Sequence, residues 1–211
     1  ALLVFPIYFI GKTLFGKNAG LVAALLIALI PIHISSGHGS AYALFDHDSF
    51  NLLLYFLTFL FIIKSMKEKD TIRRILYALL AGLPLAALSM VWVEAQFLYS
   101  VITVYAVVQL LIDLFSNKVD EGFVISLSIV LFTGFFVSLP ISYASGLILG
   151  LPFFLALGVL GFGGLCIFFK RKQIPWVVSY PLIAGIAAVA IGFLYIVYKS
   201  PKISSAILFN G

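Results

Sequence analysis

The sequence predicts an all-α, polytopic transmembrane helical bundle of about eight spans. Two observations carry this. Of 211 residues, 63% are hydrophobic and 10% charged, with a mean hydropathy of +1.19. So little polar surface excludes a water-soluble globular domain and a disordered chain alike. The apolar residues also fall into runs separated by polar or Pro/Gly breaks, and at about 20 residues per span the length holds roughly seven or eight crossings. The single cysteine, Cys166, lies in an apolar stretch, so no disulfide framework or redox cysteine pair is available.

The first run, 1–15, is short for a hydrocarbon layer about 30 Å thick at about 1.5 Å per residue. It has neither the basic start nor the small-residue cleavage site of a signal peptide before Lys12. It therefore reads as the end of a longer helix, and the chain as an internal piece of a larger protein. Runs 19–34 and 50–63 follow, divided by a Ser/Gly/His-rich stretch. Runs 75–91 and 97–114 are divided by a short turn containing Trp92 and Glu94, and runs 123–139, 147–169 and 177–197 complete the series. Gly146, Gly150, Gly158, Gly161, Gly163 and Gly164, in and before the seventh run, predict close helix packing. No Lys-Ser/Thr ends that glycine series, so it is no phosphate-cradling loop.

Numbering the gaps alternately orients the chain. One set holds Lys12, Lys17, Lys64, Lys67, Lys69, Arg73, Arg74, Lys118, Lys170, Arg171 and Lys172, eleven of the thirteen basic residues. The other has only Lys199 and Lys202, so the positive-inside rule places the first set in the cytoplasm. The net charge of +5 is then a topology signal, and these short loops lack the folded basic face that nucleic-acid binding needs. Glu68, Asp70, Asp113, Asp120 and Glu121 fall on the basic side and read as solvated loop charges. Asp46, Asp48 and Glu94 fall on the outer side, without a basic neighbour in sequence.

Asp46-His47-Asp48 opens the run 50–63. In extended backbone, residues two apart point to the same side. Two carboxylates so placed beside a helix N-terminus suit a hard divalent cation such as Mg or Mn. They suit equally a plain capping role, with Asp48 or Ser49 as cap and Asp46 favoured by the helix dipole. His33, His38 and His47 surround the same loop as polar contacts or ligands. Trp92 reads as an interfacial anchor, Glu94 as a turn residue or as lining of an external cavity, and Lys199 as a contact to lipid headgroup or substrate phosphate. His38, Trp92, Glu94 and Lys199 are thus the candidate substrate-binding residues, and Asp46 and Asp48 the candidate metal ligands.

The run Gly11–Ile34, GKTLFGKNAGLVAALLIALIPIHI, followed by Phe45–Lys67, FDHDSFNLLLYFLTFLFIIKSMK, resembles the membrane domain of the oligosaccharyltransferase catalytic subunit family in its archaeal and bacterial single-subunit form. The likeness rests on Gly11-Lys12, on Leu14 to Leu21, on a helix ending in Pro31, and on Asp46-x-Asp48 as the family's second acidic motif. The stretch Leu85–Ile102, with Trp92, is similar to a family helix end and external turn. This resemblance implies a GT-C-like fold and transfer of a glycan from a polyprenyl phosphate-linked oligosaccharide donor to Asn in Asn-x-Ser/Thr of an acceptor polypeptide. It implies a cell-membrane, multi-pass enzyme with an external active face, a membrane-lipid environment, and Asp46 and Asp48 helping to hold Mg or Mn.

Val93-Glu94 departs from the small residue the family places after the Trp. The other acidic loops and the soluble domain with its Trp-Trp-Asp acceptor-reading motif are expected outside these 211 residues, since Trp92 and Trp176 are not adjacent. The piece alone is expected to be inactive. The alternatives are another polyprenyl phosphate sugar-dependent enzyme, such as a protein mannosyltransferase or aminoarabinose transferase, and a non-catalytic transporter or membrane subunit. A transporter is expected to carry ionisable groups at mid-membrane or broken helices in repeated halves, and the sequence shows neither.

Overall fold

A computed structural model describes residues 2–29, 47–91, 95–144 and 150–185. Over these residues the chain is helical: α1 (Val4–Phe15), α2 (Lys17–Leu29), α3 (His47–Lys67), α4 (Thr71–Val91), α5 (Ala95–Phe115), α6 (Glu121–Ala144) and α7 (Leu151–Arg171), then a short α8 (Trp176–Gly185). Each apolar run of the sequence lies on one of them. Five, α3 to α7, contain stretches long and apolar enough to cross a membrane. The described parts of α1, α2 and α8 are shorter, and the sequence runs 19–34 and 177–197 continue outside the described residues.

The burial pattern is that of helices in lipid. Leu85, Leu98, Leu110 and Leu127 are fully buried, while Phe5, Phe97 and Val104 point outward at 61%, 66% and 62% exposure. With hydrocarbon outside, burial of apolar area does little to hold helices together, so close van der Waals packing must do more. Small residues accordingly line the contacts. α4 packs between α3 and α6, and α6 continues onto α7, which also packs on α5. Ala78, Ala81 and Gly82 bring α4 against α6, where a Cβ on Gly82 would overlap Thr133. Reciprocally, a Cβ on Gly134 of α6 would stand 2.8 Å from Leu85 Cδ2.

The glycine series of α7 behaves differently from the sequence expectation. Only Gly163 is at a close contact, against Val124 of α6. Gly158, Gly161 and Gly164 have open space where a Cβ would stand, and Gly150 meets only Pro152 of its own helix start. Gly146 lies outside the described residues. Among the described glycines, those that come closest to the backbone of another helix are instead in α1 and α2. They are joined by Gly16, whose φ of 96° is a conformation that glycine adopts without steric cost. α2 folds back so that a Cβ on Gly20 would stand 2.6 Å from the Tyr8 carbonyl oxygen, and one on Gly11 would stand 2.9 Å from Gly20 Cα.

One end of the bundle gathers the basic residues and ties the helix ends together. Lys67 donates to the Thr13 carbonyl, joining α3 to α1. Ser65 Oγ donates to the Arg74 carbonyl at 2.9 Å, and Arg74 Nε donates to the Glu68 carbonyl at 3.1 Å. Arg74 also faces Asp120 at 3.5 Å, reaching the α5–α6 connection. From α7, Lys170 donates to the Val119 carbonyl at 2.7 Å and Arg171 grips both carboxylate oxygens of Glu121, extending the contacts to α7. Tyr180 of α8 donates to the Leu111 carbonyl at 2.8 Å.

Candidate functional site

The candidate site belongs to the opposite end of the bundle. α3 has 21 residues, about 30 Å at about 1.5 Å per residue, and its Lys67 end is fixed in the basic layer. Its first turn, with His47 and Asp48, therefore lies at the far end. α4 starts beside the basic layer and runs the other way, so Val91 and the start of α5 at Ala95 also reach the far end. The fold thus brings the beginning of α3, the end of α4 and the beginning of α5 to one side, as the alternating gaps of the sequence require.

Asp48 is the second residue of α3. Backbone N–H groups of a first helical turn lack intrahelical partners, and the helix dipole is positive there. A carboxylate at that position is stabilised with or without a cation. Of Asp48 the structure describes the backbone alone, while Asp46, His38, Trp92, Glu94 and Lys199 lie outside the described residues. Their sequence neighbours, rather than their side chains, are what the fold positions.

The acids on the described side chains are all engaged at the basic end. Asp70 Oδ1 accepts from the Ile72 N–H at 3.0 Å and caps α4; Asp120 Oδ1 accepts from the Gly122 N–H at 2.9 Å and caps α6. Glu68 accepts from the backbone N–H groups of Lys69 and Asp70, Glu121 is held by Arg171, and Asp113 accepts from Gln109 Nε2 at 2.8 Å. The capping roles of Asp70 and Asp120 are functions that the reading as solvated charge missed. An Asp directly before an apolar helix was the available signal. Among the described residues no group of three or more His, Cys, Asp or Glu is placed to hold a metal.

The first turn of α3 thus carries Asp48, at the end from which every acid with a described side chain is absent. A family profile described as oligosaccharyl transferase STT3, N-terminal, matches residues 1–181. The chain belongs to this STT3 family. The match takes in α1 to α7 and the start of α8, well past Leu114, where the motif resemblance ended. No curated protein and no solved structure matches the chain. STT3 membership, with the five long apolar helices, makes this a multi-pass membrane chain of the oligosaccharyltransferase type of glycosyltransferase.

Proposed function

We propose that this chain is the membrane part of an enzyme that moves a glycan from a polyprenyl phosphate-linked donor to Asn in Asn-x-Ser/Thr of an acceptor polypeptide, with the reacting groups at the end opposite the basic layer. The single observation that carries the reading is the STT3 match together with Asp46-x-Asp48 at the start of α3. On the positive-inside rule the basic layer is cytoplasmic, and the reaction side faces out of the cell membrane.

In this reading the carboxylates of Asp46 and Asp48 are ligands for Mg or Mn, completed by groups outside this chain or by water. Such an ion supplies Lewis-acid neutralisation of charge on the leaving phosphate. Asp48 stands on the first turn of a membrane-spanning element, so the donor's lipid can stay in the bilayer while its phosphate meets the water-facing edge. His38, Trp92, Glu94 and Lys199 are assigned to substrate contact: Trp92 as an apolar anchor at the edge, Lys199 toward phosphate, His38 and Glu94 as polar partners. The chain alone is expected to be inactive, since it supplies part of the ligand set and lacks the acceptor-reading motif.

The test is a Mn titration and turnover assay of the whole enzyme with Asp46→Ala and Asp48→Ala, beside Asp120→Asn, which keeps a capping side chain at the basic end. Each alanine variant is expected to lose turnover on the order of 10²-fold, the scale of removing one group that stabilises transition-state charge, and to need more Mn. Unchanged Mn affinity and turnover in both would leave capping as their role.

A further inference from the structure

We propose that the basic end carries a headgroup site for an anionic phospholipid, built by Lys12, Lys64 and Lys67 where α1, α3 and α4 meet. Charges at this end are segregated. The arginines have carboxylate partners: Arg73 with Asp70, Arg74 with Asp120 and Arg171 with Glu121. No aspartate or glutamate occurs in the first 45 residues, so Lys12 and Lys17 sit on a hairpin without an acid. Among the described residues neither these two nor Lys64 and Lys67 form an ion pair.

Lys64 gives the cluster a fixed geometry. Its ammonium stands 5.7, 5.9 and 5.5 Å from the ring centroids of Phe9, Phe61 and Tyr77, one from each of the three helices. Ring faces attract a cation without neutralising it. Phe9 in turn packs edge-on against Tyr8 at 5.2 Å, and Lys12 lies 5.8 Å from the Tyr8 ring. Lys67 is drawn to the same place by its bond to the Thr13 carbonyl, one residue from Lys12. Three lysines without an ion pair among the described residues thus lie on the adjoining ends of α1 and α3.

The surroundings select a lipid over a soluble anion. Lys64 lies one turn from the end of a membrane-spanning helix, the depth at which lysine stems bury and their ammonium groups reach headgroups. On α1 itself Leu14 and Phe15, which follow Lys12 closely in sequence, and Phe5, two turns earlier, are exposed. A ligand with a phosphate for the lysines and an acyl chain for this flank matches both surfaces. Basic side chains near an anionic leaflet contribute roughly a fivefold preference each, so three give on the order of 100-fold.

The test titrates the full chain, in neutral detergent, with short-chain phosphatidylglycerol and with phosphatidylcholine, counting bound lipid by native mass spectrometry. Lys12→Gln/Lys64→Gln/Lys67→Gln is compared with Lys69→Gln/Lys118→Gln/Lys172→Gln, which removes equal charge from the same end. The first variant is expected to lose phosphatidylglycerol affinity on the order of 100-fold and the second less than about fivefold. Lys64→Arg, which keeps the charge and the ring contact, is expected to bind normally, and Lys64→Met to lose roughly fivefold. Equal losses in the two triple variants, or Lys64→Met binding like Lys64→Arg, overturn the site. Inorganic phosphate or a polyglutamate peptide binding as tightly as the lipid likewise overturns the lipid assignment.

Discussion

Gly163 and Gly164 are neighbours on α7 with opposite surroundings, and replacing each by alanine separates helix propensity from packing. Both substitutions gain the same backbone advantage, about 1 kcal/mol in an ordinary helix interior. At Gly164 nothing stands within 4 Å of the new Cβ, so the gain is kept. At Gly163 the new methyl would overlap Cγ1 of Val124 and stand 2.9 Å from its Cγ2. Val124 is only 2% exposed and β-branched, with one favoured rotamer in a helix, so it cannot turn aside. Overpacking of that kind costs about 1 to 3 kcal/mol. Gly163→Ala should therefore be less stable than Gly164→Ala by about 2 kcal/mol, or about 30-fold in the unfolding equilibrium. Equilibrium unfolding in bicelles, followed by steric trapping, measures the difference. The penalty at Gly163 should vanish in a Val124→Ala background. Equal stability of the two single variants, or a penalty that survives Val124→Ala, would refute the packing argument.

Three other outcomes are expected. Arg74→Ala removes the bond to the Glu68 carbonyl and the link to Asp120, and should lower stability by about 1 to 2 kcal/mol in the same unfolding assay, the ion pair being partly screened. Tyr180→Phe removes the donor to the Leu111 carbonyl and should cost about 1 kcal/mol, detected as faster proteolysis of α8 in micelles. Cysteines placed at Lys69 and Lys118 should both react with a membrane-impermeant maleimide from the cytoplasmic side only, while buried Cys166 stays silent; labelling from opposite sides would break the topology.

Hydropathy located the helices because the lipid imposes one requirement on every spanning residue. It located their ends less well. The run ending at Ile63 stops short of Lys67 because Lys64 and Lys67 are polar by composition, yet Lys64 lies among aromatic rings and Lys67 reaches over α1. The glycine-rich seventh run misled for a related reason: spacing says which residues share a helix face, and only the neighbouring helix decides whether that face is covered. Gly163 meets α6, whereas Gly158, Gly161 and Gly164 do not. The glycines that do set backbone distance, Gly11 and Gly20, entered the sequence reading only through the family motif. For the candidate site, the isolated acids Asp46, Asp48 and Glu94 are a reading of the sequence alone. The fold adds the common end of α3, α4 and α5 to which Asp48 and the neighbours of Glu94 are attached.

The hairpin of α1 and α2 also bears on how such a chain enters a membrane. A single residue joins the two helices, and their backbones touch at Gly11 and Gly20. With one linking residue and backbones in contact, the two helices have no slack to move apart. They partition together, as one wedge with Lys12 and Lys17 at its blunt edge. Those two charges resist being dragged through hydrocarbon, so the wedge has a single direction of entry. Lys12 and Lys17 are thereby kept with the basic layer, and the start of α3 belongs to the opposite end of the bundle.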